Sequence, residues 1–81
     1  MEDTLKKEIL ALLAREWEHT GPPGILDIRD IVSIMGGSPG DVMATIKELF
    51  TRGLVDMNSL KTSVFLTPEG YGAHEAGAGE P

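Results

Sequence analysis

Two histidines, His19 and His74, are the side chains of this sequence whose ordinary pKa lies near neutrality. Imidazoles do metal or proton-transfer chemistry when a helical spacing or a neighbouring carboxylate brings them together. Here they stand far apart at the edges of apolar segments, with no His-x-x-x-His, no carboxylate cluster at ligand spacing and no serine set beside a histidine by motif. The absence of cysteine removes disulfides, thiolate zinc sites, iron–sulfur clusters and a cysteine nucleophile. The expectation is therefore two solvated histidines, no enzyme activity, no metal and no cofactor. A second chemistry is phosphate binding. Gly36-Gly37-Ser38-Pro39-Gly40 is glycine-rich, but no long strand precedes it, so a tight interhelical turn explains it. A helix starting there could still offer its N–H groups to a phosphate oxygen. Arg29, Lys47, Arg52 and Lys61 are the bases that could join it.

Charge bears on that idea. The chain has 81 residues, with seven Lys and Arg against thirteen Asp and Glu, a formal net charge of −6. Nucleic-acid binders need bases to displace counterions from phosphates, so the bulk balance disfavours DNA. The deficit is uneven, however. Residues 21–53 carry three bases and four acids, whereas residues 54–81 carry one base and four acids. A chain this short buries only about 60% of its unfolded surface, which commits most apolar residues to the core. No apolar run approaches the roughly 18 residues that span a bilayer. Met1-Glu2-Asp3 puts acid where a signal peptide carries base, so a soluble cytoplasmic protein without membrane contact is expected.

The positions of these residues follow from the elements. Leu5, Ile9, Leu12, Leu13 and Trp17 form one face of a helix over residues 4–18, which Gly21-Pro22-Pro23 ends. Leu10 widens this face, leaving two readings: all core, or a dimer seam of Leu10, Ala14 and Trp17. Gly24-Ile25-Leu26 suggests a very short strand. Asp27 is a candidate N-cap for a two-turn helix ended by Gly36-Gly37. Ser38, Pro39 and Asp41 then begin a third helix. In it Val42, Ile46, Leu49 and Phe50 are assigned to the core, and Gly53 stops it. Strands over residues 54–57 and 62–66, joined by Asn58-Ser59-Leu60-Lys61, read as a hairpin. Thr67-Pro68-Glu69 signals one more helix start, but the glycines beyond it limit the expectation to a turn or two around Tyr71. A domain over 1–75 and a disordered tail at 76–81 result.

Ile31-Val32-Ser33-Ile34-Met35-Gly36-Gly37-Ser38 resembles the first helix and turn of a winged helix-turn-helix motif. Val42 to Leu49, running on to Arg52-Gly53-Leu54-Val55, is similar to its second helix and entry into the wing. Leu66-Thr67-Pro68-Glu69-Gly70 resembles the Leu-Thr-x-x-Gly exit from the wing in MarR-type prokaryotic regulators. The resemblance covers roughly Leu5 to Tyr71 and implies a small α+β fold, three helices plus a β-hairpin wing.

It also implies double-stranded DNA as partner. The second helix of the motif, whose DNA-binding segment begins at Ser38, would lie in the major groove, presenting Pro39, Gly40, Met43, Ala44, Lys47 and Thr51. Arg29 would flank it, and the wing tip, Asn58 to Lys61, would meet the backbone through Lys61. The chain departs from the pattern in two respects: Lys47 is the one base-reading side chain on the presented face, and the short wing lacks an Asp-x-Arg pattern. Two functions are therefore expected as alternatives. One is a DNA-binding transcriptional regulator, acting as a homodimer. The other is a winged-helix module whose small residues Gly40, Ala44 and Thr51, edged by Met43, pack on a protein partner.

Overall fold

A computed structural model describes residues 2–78. The elements run α1 (Glu2–Thr20), β1 (Ile25–Asp27), α2 (Ile28–Met35), α3 (Pro39–Thr51), β2 (Val55–Met57), β3 (Ser63–Leu66) and α4 (Pro68–Ala78). The result is a small α+β fold with four helices, one more than expected, and a three-stranded antiparallel sheet in the order β1-β3-β2. The hairpin pairs Val55 with Leu66 and Met57 with Val64, while β1 adds Leu26 opposite Val64. Side chains alternate across the pleat, so Val55, Val64 and Leu66 turn inward onto the helices.

The core joins that sheet face to Ile9, Leu10, Leu13 and Ala14 of α1, Ile31 of α2, and Val42, Ile46 and Leu49 of α3. Two expectations about helix faces are corrected here. Leu10 and Ala14 are 7% and 1% exposed, so both belong to the interior of the single chain and not to a dimer seam. Trp17 stacks on Tyr71 of α4, ring centroids 4.9 Å apart. The broad face of α1 is thus covered by the fourth helix, and Leu12 is left half-buried at its margin. Phe50, assigned to the core, is 45% exposed. It lies at the edge of the stripe centred on Val42, Ile46 and Leu49, and no neighbouring element closes over that edge.

The helix ends also differ from their sequence signatures. Asp27 and Ser38 occupy N-cap positions, yet neither side chain makes a capping bond. The Ser63 hydroxyl donates to Asp27 Oδ1 instead, and the first N–H of α2, from Ile28, goes to the Thr62 carbonyl. The β2-β3 hairpin therefore closes the start of α2. At the end of α3, Gly53 takes φ 77°; its N–H donates to Phe50 and that of Leu54 to Leu49, the paired bonds of a Schellman stop.

α4 forms although Gly70 and Gly72 each cost a helix up to about 1 kcal/mol. Thr67 offsets this twice over. Its Oγ1 accepts the Gly70 N–H, an N-cap of about 1 kcal/mol, and its hydroxyl proton is shared between the Gly53 and Leu54 carbonyls. The Tyr71–Trp17 stack adds about 0.5–1.5 kcal/mol. Gly70 itself lies so close to Leu54 that a Cβ there would collide with the Leu54 carbonyl oxygen. These contacts give Leu66-Thr67-Pro68-Glu69-Gly70 a physical meaning: the threonine joins the root of the β2-β3 hairpin to α4, and the glycine allows the close crossing. Residues 76–78 of the expected tail continue α4, and residues 79–81 lie outside the described residues.

Candidate nucleic-acid interface

The exposed side of α3 carries Gly40, Ala44, Lys47 and Thr51, spaced so that they share one helix face opposite Val42, Ile46 and Leu49. All four are exposed, as are Ser38 and Pro39, and Met43 is half-buried on the flank that Phe50 extends. Of the positions expected to be presented on α3, all but Met43 are thus exposed.

Glu48 adjoins Lys47 in sequence and threatens to cancel its charge. The fold turns it to the other flank, where Lys6 Nζ of α1 approaches Glu48 Oε2 at 2.7 Å and Arg52 approaches the same oxygen at 3.3 Å. Arg52 is thereby drawn into an intrahelical pair, away from the patch of bases in which the sequence placed it. The outer side of α3 keeps Lys47, with Asp41 at the helix start.

Beside the N-terminus of α3 the chain forms an open cleft of about 630 Å³, lined by Asp27, Ile28, Arg29, Val32, Pro39, Lys61 and Thr62. Arg29 reaches it from the first turn of α2 and Lys61 from the tip of the β2-β3 hairpin. Both are exposed, and among the described residues no ion pair engages Arg29, Lys47 or Lys61. Ser38 supplies no side-chain acceptor to the first turn of α3, so its N–H groups keep their hydrogen-bonding capacity for an outside acceptor.

Side chains of the hairpin loop brace its tip. Asn58 Oδ1 accepts the N–H groups of Thr62 and Ser63, and Asn58 Nδ2 donates to Thr62 Oγ1. The Lys61 N–H donates to the Asn58 carbonyl, with Lys61 itself at φ 58°. Leu60, 79% exposed, and Lys61 thus project from a braced turn. Asn58, half-buried, is a brace and not a presented tip residue. Sequence reasoning missed this role, although an asparagine opening a four-residue turn is its usual sign.

Elsewhere the chemistry-bearing residues stay apart. His74 lies tilted beside Tyr71, and His19 is exposed at the end of α1. The Tyr71 hydroxyl donates to Glu18 Oε2 at 2.7 Å. That bond, aided by desolvation and by the charges of Glu18 and Glu75, pushes its pKa up to about 12. Among the described residues no group of three His, Asp or Glu side chains could hold a metal ion, and no helix is long and apolar enough to cross a membrane. Compared with protein-family models, curated proteins and solved structures, the chain matches none.

Proposed function

We propose that this chain is a winged helix-turn-helix domain that binds double-stranded DNA and serves as a transcriptional regulator. The exposed face of α3 enters the major groove, with Lys47 the side chain that reaches base edges or phosphate. Arg29 and Lys61 contact the backbone on either side of the α3 N-terminus, whose N–H groups favour a phosphate oxygen. The observation that carries this reading is the convergence of Arg29 and Lys61, unpaired and exposed, on one cleft beside Pro39, while Glu48 is held away by Lys6 and Arg52. Local charge of this kind steers docking even when net charge is unfavourable.

Three phosphate contacts release few counterions, so binding is weak and salt-sensitive, with log affinity falling against log salt with a slope of roughly −2 to −3. Fluorescence anisotropy with mixed-sequence duplex DNA at low salt tests this. Binding in the micromolar range, abolished by Lys47→Glu combined with Lys61→Glu, is expected. No binding at high micromolar protein removes the proposal.

One observation favours a second reading. Phe50 is 45% exposed and shares a flank of α3 with half-buried Met43, an apolar edge that suits a protein partner better than a phosphate backbone. Retention of a partner that Ala44→Glu releases, together with no DNA binding, favours this reading.

A further inference from the structure

The outer face of α1 carries Glu8, Ala11, Leu12 and Arg15, spaced by three, one and three residues and therefore on one side of the helix. Glu8 and Arg15 are exposed, and neither has an ion pair among the described residues. Seven residues separate them, about 10 Å along the axis, too far for them to pair within the helix. Leu12 forms a ridge between two shallow clefts. One, of about 320 Å³, is lined by Glu8, Ala11, Leu12, Arg15, Ile34 and Met35; the other, of about 210 Å³, by Leu12, Arg15, Glu16 and His19. Ile34, at the rim of the first cleft, is 58% exposed.

We propose that this face binds the same face of a second copy, with the two α1 helices antiparallel. The argument is self-complementarity. A two-fold axis passing between Ala11 and Leu12 sets Glu8 of one copy opposite the partner's Arg15, and Arg15 opposite the partner's Glu8. Every contact of an isologous interface occurs twice, so one acid and one base on each helix yield two matched pairs. The same axis brings Ala11 near its own counterpart, where the small side chain lets the backbones approach. Each Leu12 then packs beside the other as a ridge entering a groove. A parallel pairing in register would instead set Glu8 against Glu8 and Arg15 against Arg15, so charge selects the antiparallel orientation. The surface differs from a seam through Leu10, Ala14 and Trp17, which the fold uses internally, and it does not depend on whether DNA is bound.

The patch spans two helical turns plus Ile34, at the small end of specific interfaces, so the dimer is weak and concentration-dependent. Sedimentation equilibrium from micromolar to millimolar protein tests it. The mass of wild-type protein is expected to rise toward that of two chains. Glu8→Arg and Arg15→Glu, each alone, place like charges opposite one another and are expected to weaken association about tenfold or more. The double variant Glu8→Arg with Arg15→Glu exchanges the charges and restores it. Ala11→Cys, in a chain without cysteine, is expected to cross-link to its own copy on mild oxidation, and to stop doing so when Arg15→Glu is added. Wild-type protein that stays monomeric to millimolar concentration, single variants that associate as wild type does, or a double variant that fails to recover would each overturn the proposal.

Discussion

At its root the β2-β3 hairpin is held by another part of the chain. Thr67 gives its hydroxyl proton to the Gly53 and Leu54 carbonyls and its oxygen to the first turn of α4, and Gly70 crosses Leu54 at backbone contact distance. At its tip the hairpin is shaped chiefly by its own loop, which one asparagine closes, and it touches the rest of the chain through the bonds of Thr62 and Ser63 to Ile28 and Asp27. Tertiary locking leaves the root no freedom to change without moving α4. Local bracing lets the tip keep its shape while presenting Leu60 and Lys61 to whatever lies outside. The same contrast separates the Trp17–Tyr71 side of the molecule, where aromatic surface is stacked, from the outer face of α3, where small residues and an unpaired lysine are presented.

The strongest way to break this contrast is Gly70→Ala. The added Cβ meets the Leu54 carbonyl and also lies 2.8 Å from Leu66 Cδ1. Backbone cannot yield as a side-chain end can, so a loss of about 3 kcal/mol is expected, the upper end of ordinary overpacking costs. Urea unfolding followed by circular dichroism measures it; a loss below 1 kcal/mol shows that the root is not locked as described.

Asn58→Ala should cost less, about 1–2 kcal/mol, because it removes hydrogen bonds that are partly open to solvent. Its more telling effect is on order, since amide exchange at Thr62 and Ser63 is expected to accelerate while the protons of α4 keep their protection. Equal acceleration in both places would mean that root and tip are one cooperative unit.

The smallest effect is electrostatic and belongs to the stacked side. Tyr71 is held protonated by Glu18, with its pKa raised from 10.0 to about 12. Stabilisation from that bond is complete below pH 10 and is lost as pH rises through 12. Tyr71 is the sole tyrosine, so tyrosinate absorbance reads it directly. A midpoint near 12 in the native protein, returning toward 10 in Glu18→Gln, is expected. An unchanged midpoint in the variant removes Glu18 as the cause.

Much of the fold was legible because its signals are local. The 3.6-residue stripes of α1 and α3, the αL glycines Gly36 and Gly53, and the asparagine-led turn between β2 and β3 each act within a few residues of themselves. The elements they mark lie where their patterns place them. α4 was legible only in its first turn. Its glycines argue against a helix, and what offsets them, the Trp17 ring and the Leu54 and Gly53 carbonyls, comes from distant segments. Phe50 was misplaced for a related reason: a helical pattern defines the centre of an apolar stripe, while its edges depend on which neighbours close over them. Along the candidate interface, the exposure of Gly40, Ala44, Lys47 and Thr51 followed from the α3 pattern. The meeting of Arg29 with Lys61, and the removal of Glu48 by Lys6, joined residues far apart in the chain.

By itself the sequence determined the order and kind of most elements, the core-facing positions at the centre of each stripe, and the absence of thiol chemistry, because these depend on residue type and short-range spacing. Only the tertiary structure decided that Leu10 and Ala14 are interior while Ala11 and Leu12 border open clefts, that α4 is a helix, and that two distant bases share one cleft. Those outcomes depend on which surfaces pack against each other, and packing is settled by the whole chain at once.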